Sequence, residues 1–221
     1  QGSEDTITDM IRCASESGLS LFGISDHGPA TSSSAKPSYF QSLKLADRDR
    51  FGIRVLYGAE LNIINTAGDV DLDDDTLSTL DYAIISIHPP IFKPYHDKDL
   101  SSAYIRAMDH PKVRFLGHID DARFPVDFEY LLEIAKEKHV YPEINNGSLM
   151  PDAYRINGQE NCRRILSICK KLDLPVLLSS DSHGKKSIGN MQYIFPLLEE
   201  LDFPAHLVLN SDLSALSDII R

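Results

Sequence analysis

Two hydrophobic rhythms alternate along the chain. Short continuous apolar runs, bounded by glycine, proline or small polar residues, read as strands covered on both faces. They fall at residues 19–24, 53–63, 82–87, 112–116, 140–144 and 174–178. Between them, apolar positions recur three and four apart, the spacing of one helical face. Ile7, Met10, Ile11 and Ala14 predict an opening helix over residues 4–17 that Gly18 stops. Further helices are predicted at residues 39–48, in the stretch ending near 108, and at 128–138, 159–172, 187–201 and 213–220. Strand followed by helix, repeated, implies a parallel sheet, which right-handed crossovers wind into a barrel or an open sheet. No linker-like stretch divides the chain, so residues 1–221 are expected to form a single domain.

The runs share an ending. Leu174-Pro175-Val176-Leu177-Leu178-Ser179-Ser180-Asp181-Ser182-His183-Gly184 passes abruptly from apolar residues to an acid and a histidine. If the strand continued through Asp181 and His183, their side chains would point to one side, as a divalent cation requires. A helix N-cap with an incidental histidine explains this segment equally well. The same ending recurs, however, with His27 after Ile24, His88 after Ile87 and His118 after Leu116, while Glu60 is embedded in an apolar run where an unpaired charge is costly. In a barrel the carboxyl ends of the strands meet on one face. His27, Glu60, His88, His118, Asp181 and His183 therefore form a candidate ligand set. Six ligands exceed the needs of one tetrahedral ion, so a multinuclear site is expected, and a nitrogen and oxygen set suits zinc, manganese or iron.

Other polar clusters carry less. Asp69, Asp71, Asp73, Asp74 and Asp75 lack the glycine and terminal glutamate of a calcium loop and read as a solvated turn capping a helix. His96 reads as a surface or capping histidine and His110 as part of a helix exit. Asn145 and Asn146 can donate to ligand oxygens or serve as turn residues. The Ser-rich segment 31–34 reads as a loop covering a site.

Composition narrows the partners. With 22 Lys and Arg against 33 Asp and Glu, the formal charge is −11, which disfavours a bulk nucleic-acid binder and favours a small substrate. Three cysteines, Cys13, Cys162 and Cys169, without paired spacing argue against a disulfide framework and for a reducing, cytoplasmic setting. No apolar stretch approaches the roughly 20 residues of a membrane span.

The segments Ile24-Ser25-Asp26-His27-Gly28-Pro29, Gly58-Ala59-Glu60-Leu61-Asn62-Ile63, Ile87-His88-Pro89-Pro90, Gly117-His118, Glu143-Ile144-Asn145-Asn146 and Ser180-Asp181-Ser182-His183 resemble, in order, the motifs of the PHP (polymerase and histidinol phosphatase) superfamily. The sequence is most similar to its stand-alone YcdX-like phosphohydrolases. The resemblance spans essentially the whole chain. It implies a distorted (β/α)7 TIM-like barrel with a trinuclear metal site. Glu60 would bridge two metals, His88 and His118 would complete one, Asp181 would bind the second, and His27 with His183 the third. Family members open with a strand carrying a His-x-His motif and another histidine, and Gln1 and Gly2 stand near the place of that third histidine. The expectation is that upstream residues supply this strand, because its loss would expose a core edge.

The function implied is a metal-dependent phosphoesterase that hydrolyses a small phosphate monoester through a metal-activated water, with two or three divalent ions (Zn, Mn or Fe). Glu60, Asp181 and His183 are the expected catalytic residues. Arg123, Asn145 and Lys185, with Lys186 a weaker candidate, are expected to bind substrate, and Asp26 to orient a ligand. The competing readings are an amidohydrolase-like metal hydrolase and a degenerate, non-catalytic PHP-like interaction module.

Overall fold

Six parallel strands carry the apolar runs into one curved sheet that forms a half-barrel, in a computed structural model that describes residues 5–32, 34–89, 91–92 and 98–220. The strands are β1 (Leu21–His27), β3 (Ile53–Asn62), β4 (Tyr82–Ser86), β5 (Val113–Leu116), β6 (Tyr141–Asn145) and β7 (Leu177–Ser179), adjacent in that order. A two-residue β2 (Asp49–Arg50) adds a short antiparallel pairing on β3 that the sequence pattern did not suggest. The helices are α1 (Ile7–Glu16), α2 (Pro37–Ser42), α3 (Asp74–Leu77), α4 (Ser101–Ala107), α5 (Phe128–Glu137), α6 (Gly158–Leu172), α7 (Ile194–Glu200) and α8 (Leu213–Ile220).

The two faces of the sheet bury different things. Outward residues such as Val55, Tyr57, Ala59 and Leu61 of β3 and Ala83 and Ile85 of β4 join the main core beneath the helices. Inward residues Leu56, Tyr82, Ile84 and Phe115 form a second core that α8 plugs with Leu216 and Ile220. Side chains alternate along a strand, so positions two apart stay on one face. On β3 the inward row is Leu56, Gly58, Glu60 and Asn62; it rises from apolar to polar toward the carboxyl end. On β4 the row that starts at Tyr82 and Ile84 reaches Ser86 and then His88 just beyond the strand.

Three elements differ from the sequence expectation. The helix predicted at 39–48 ends early, as α2 and a 3-10 turn (Leu43–Leu45), because the Arg48 guanidinium takes the carbonyls of Leu43, Lys44 and Ala46 at 3.3, 3.4 and 2.8 Å. The helix predicted from 187 begins only at Ile194, after Gly189 turns the chain at φ +69°. Most consequential, β7 stops at Ser179, and Asp181 adopts a left-handed φ of 45°. Asp181 and His183 thus leave the strand through a turn and do not continue its alternation.

Interior space at the middle of the half-barrel depends on Gly58. A Cβ there would lie 2.7 Å from the Tyr82 carbonyl oxygen and 2.8 Å from the Tyr82 ring. Backbone cannot yield as a flexible side chain does, so Gly58→Ala should lower stability by about 1–3 kcal/mol in urea unfolding, with an unchanged denaturant slope.

Candidate metal centre

The inward rows end around one buried carboxylate. Parallel pairing sets Glu60 of β3 beside His27 of β1, and Glu60 is only 9% exposed. The Oε1 atom of Glu60 lies 3.0 Å from His118 Nε2 and 3.3 Å from His88 Nε2, and its Oε2 lies 3.1 Å from His27 Nδ1. The two Nε2 atoms of His88 and His118 are 3.2 Å apart. Atoms in tetrahedral contact with a zinc ion, at about 2.0–2.1 Å from it, stand about 3.3–3.4 Å from each other, so this spacing fits a shared cation. The ligand atoms of His27, Glu60 and His88 all lie within 4.8 Å of one another. Among the described residues the buried His27 Nδ1 has no hydrogen-bond partner, as expected of a nitrogen reserved for an ion.

Asp181 and His183 reach the same cleft from β7. A cavity of about 340 Å³ between β1 and β7 is lined at its polar end by His27, Glu60, Asp181 and His183. Asp181 Oδ2 accepts hydrogen bonds from Asn145 Nδ2 and Arg155 Nη2, both at 3.0 Å. His183 Nδ1 sits 3.0 Å from the Asp181 carbonyl oxygen, which can only accept. Nδ1 therefore donates, and a neutral ring keeps Nε2 free for a ligand. The His27 and His183 rings are 6.0 Å apart at their centres. The structure thus brings all six sequence-predicted ligand residues to one mouth of the half-barrel.

The electrostatics suit cation binding. Burial pushes the Glu60 carboxyl up, but hydrogen bonds from His118 and His88 outweigh it and hold the group well below the usual carboxylate range. Burial and the Arg155 charge work against protonation of His118, yet its bond to Glu60 leaves it raised. Burial lowers His27 toward the neutral form. Glu143, buried on β6 and accepting the His118 backbone N–H at 2.9 Å, is raised by burial and by the charge of Asp181. Reading along the chain did not single it out as a site residue, although its place inside an apolar run, like that of Glu60, is the signal that could have.

The expected substrate-binding cations are each paired with a carboxylate. Arg123 is bound in a fork to Asp121 and packs 4.2 Å from the centre of the Tyr154 ring. Lys185 pairs with Asp5 through both its backbone N–H, at 2.9 Å, and its ammonium, at 3.1 Å. Asn145 directs its amide at Asp181 and, at 3.4 Å, at Glu143. Asp26 accepts a hydrogen bond from the Tyr39 hydroxyl. His96 lies outside the described residues. The half-buried guanidinium at the site is Arg155, in a loop that reading along the chain did not single out, because only the tertiary fold lays it against Asp181. Within the acidic run, Asp73 caps α3 as expected, whereas Asp71 turns inward to Asn62 and is no solvated turn residue.

Imidazoles and carboxylates thus gather at the carboxyl ends of a half-barrel of parallel strands, a nitrogen and oxygen set that could hold a divalent cation. The chain belongs to the PHP domain family, which it matches over residues 1–147. It is 35% identical over 207 residues to a probable phosphatase of Clostridium acetobutylicum, a match covering 94% of this chain and 84% of that protein. It is 34% identical to a probable phosphatase of Caldicellulosiruptor saccharolyticus, covering 98% and 90% respectively. Among solved structures it resembles the histidinol phosphate phosphatase of Lactococcus lactis, solved with zinc, L-histidinol and phosphate, at 18% identity and a TM-score of 0.61, covering 91% and 89% of the two chains. A chain of archaeal ribonuclease P with mature tRNA matches at 17% identity and a TM-score of 0.64, covering 99% and 88%. Among the described residues, no helix is long and apolar enough to cross a membrane.

Because the raised His118 must lose its proton to ligate, zinc uptake should release protons and weaken as pH falls through the titration of that imidazole. Calorimetry in buffers of different ionisation enthalpy measures the release. Zinc at about 100 times its dissociation constant should stabilise the fold by about 2.7 kcal/mol, and Glu60→Gln should abolish this gain.

Proposed function

We propose that this chain is a metal-dependent phosphoesterase acting on a small phosphate monoester, with Glu60, His27, His88, His118, Asp181 and His183 holding two or three divalent ions. The observation that carries this reading is the convergence of three imidazoles on the buried Glu60 carboxylate, at the mouth of a cleft, in a PHP-family chain whose relatives are named probable phosphatases. Bound ions of this kind supply an acidified water and neutralise phosphoryl oxygens.

The protein groups divide the remaining work. Glu60, kept ionised, supplies negative charge between neighbouring ligand imidazoles. Asn145 and Arg155 both donate to Asp181 Oδ2, which leaves Oδ1 as the oxygen available to an ion. Arg155 also takes the phosphoryl-binding role expected of Arg123. Its guanidinium, which donates to Asp181 and to Ser148 Oγ, lies against a carboxylate of the centre, whereas the Arg123 guanidinium is bound in a fork by Asp121. His183, half exposed at the rim, would meet the substrate side of the centre.

Turnover of p-nitrophenyl phosphate, sugar phosphates and nucleoside monophosphates with added Mn²⁺ or Zn²⁺ tests the proposal. His88→Ala or Asp181→Asn should reduce kcat by at least about 100-fold, as loss of charge stabilisation at a metal centre does. Undiminished turnover would remove those residues from the mechanism. Arg155→Met should lower kcat/KM by about 100-fold, equivalent to about 2.7 kcal/mol, while Arg123→Ala leaves it within about threefold. A wild-type chain that stays metal-free and inactive after metal addition would favour the interaction module.

A further inference from the structure

We infer that Asp71 and Asn62 act as a relay that fixes the tautomer of His88, and that both are positioning residues for the metal centre; the inference rests on the metal-centre reading above. The relay starts at a carboxylate. Asp71 Oδ1 accepts from the Asn62 backbone N–H at 2.9 Å, and Oδ2 accepts from Asn62 Nδ2 at 2.6 Å and from the Ala30 N–H at 2.9 Å. Gly28 makes room for it, since a Cβ there would stand 2.3 Å from both Asp71 oxygens.

Asn62 is fully buried, so its amide must choose one orientation. In the orientation observed, Nδ2 faces Asp71 Oδ2 and, at 3.4 Å, the Gly28 carbonyl, which can only accept, while the Thr31 hydroxyl, 3.1 Å from Nδ2 and 3.3 Å from Oδ1, can serve either end of the amide. Flipping the amide would press its oxygen against a carboxylate and a carbonyl. That repulsion, in a buried setting, locks Oδ1 outward toward His88. Oδ1 then lies 2.7 Å from His88 Nδ1. An amide oxygen only accepts, so Nδ1 carries the proton, and the neutral ring presents a bare Nε2 to the centre.

The choice has a competitor. Glu60 Oε1, 3.3 Å from His88 Nε2, favours the other tautomer, in which Nε2 is protonated and cannot ligate. Asn62 decides between them only while Asp71 holds its amide. Thus a carboxylate from the acidic run, with no atom at the centre, determines which lone pair meets the ion.

Nitrogen NMR of metal-free protein labelled with ¹⁵N-histidine reads the tautomer directly, with the His88 signals assigned by their loss in His88→Gln. In alkaline buffer, wild-type His88 should be in the Nδ1–H form. In Asn62→Ala and Asp71→Asn, the Nε2–H form should become dominant. The zinc dissociation constant, measured by competition with a chromophoric chelator, should rise roughly 10–100-fold. The exchange Asn62→Asp with Asp71→Asn returns an acceptor to His88 and a donor to hold it, so it should recover the Nδ1–H form. If the variants fail to fold, the wild-type spectrum still decides, because an Nε2–H His88 there overturns the relay. Unchanged tautomer and zinc affinity in both single variants overturns it as well, while leaving the metal centre standing. A wild-type chain with Nδ1–H His88 that takes up no zinc overturns the metal-centre reading, and the positioning role with it.

Discussion

A single carboxylate buried where water cannot solvate it dictates the arrangement around it. Moving an ionised carboxyl out of water costs several kcal/mol unless neighbours compensate, and Glu60 is compensated by imidazoles from three different strand ends. The His88 ring is oriented from behind by the Asn62 side chain, and the backbone of His118 is held by Glu143. The cluster therefore behaves as a unit. The strands set its positions, and the loops after them supply the groups that keep it in register.

The half-barrel makes this affordable by separating its interior into two zones. Near the amino ends of the strands, Leu56, Tyr82, Ile84 and Phe115 pack against α8 and exclude water. Near the carboxyl ends the same inward rows turn polar, and charge collects where parallel strands all terminate together. One alternation rule serves both zones, because moving two residues along a strand keeps the face and changes only the height. Glycines at 58 and 117 let rings and side chains from β4 fill the middle, where a Cβ would collide with Tyr82 or with Ser86 and Ile84.

The candidate ligands were legible because they announce themselves by type and by place. A histidine or an acid ending an apolar run is visible without coordinates, and four such endings, with Glu60 inside a fifth run, marked the six residues that the fold brings together. What supports them was not legible. Arg155 lies in an irregular loop after β6, and Asp71 sat in an acidic run whose neighbours Asp73 and Asp74 belong to a helix start. Arg123 was favoured by its closeness in sequence to His118, yet an aspartate two residues away claims its guanidinium.

The sequence by itself determined the element order, the parallel sheet and the identity of the residues at the strand ends, because hydrophobic period and residue chemistry are local properties. Tertiary structure alone decided which cation meets Asp181, which way the Asn62 amide faces and how Asp181 and His183 converge through a left-handed turn after β7 has ended. These are contacts between segments far apart in the chain. Their geometry follows from how the strands twist and the loops fold back, and no spacing along one segment encodes it.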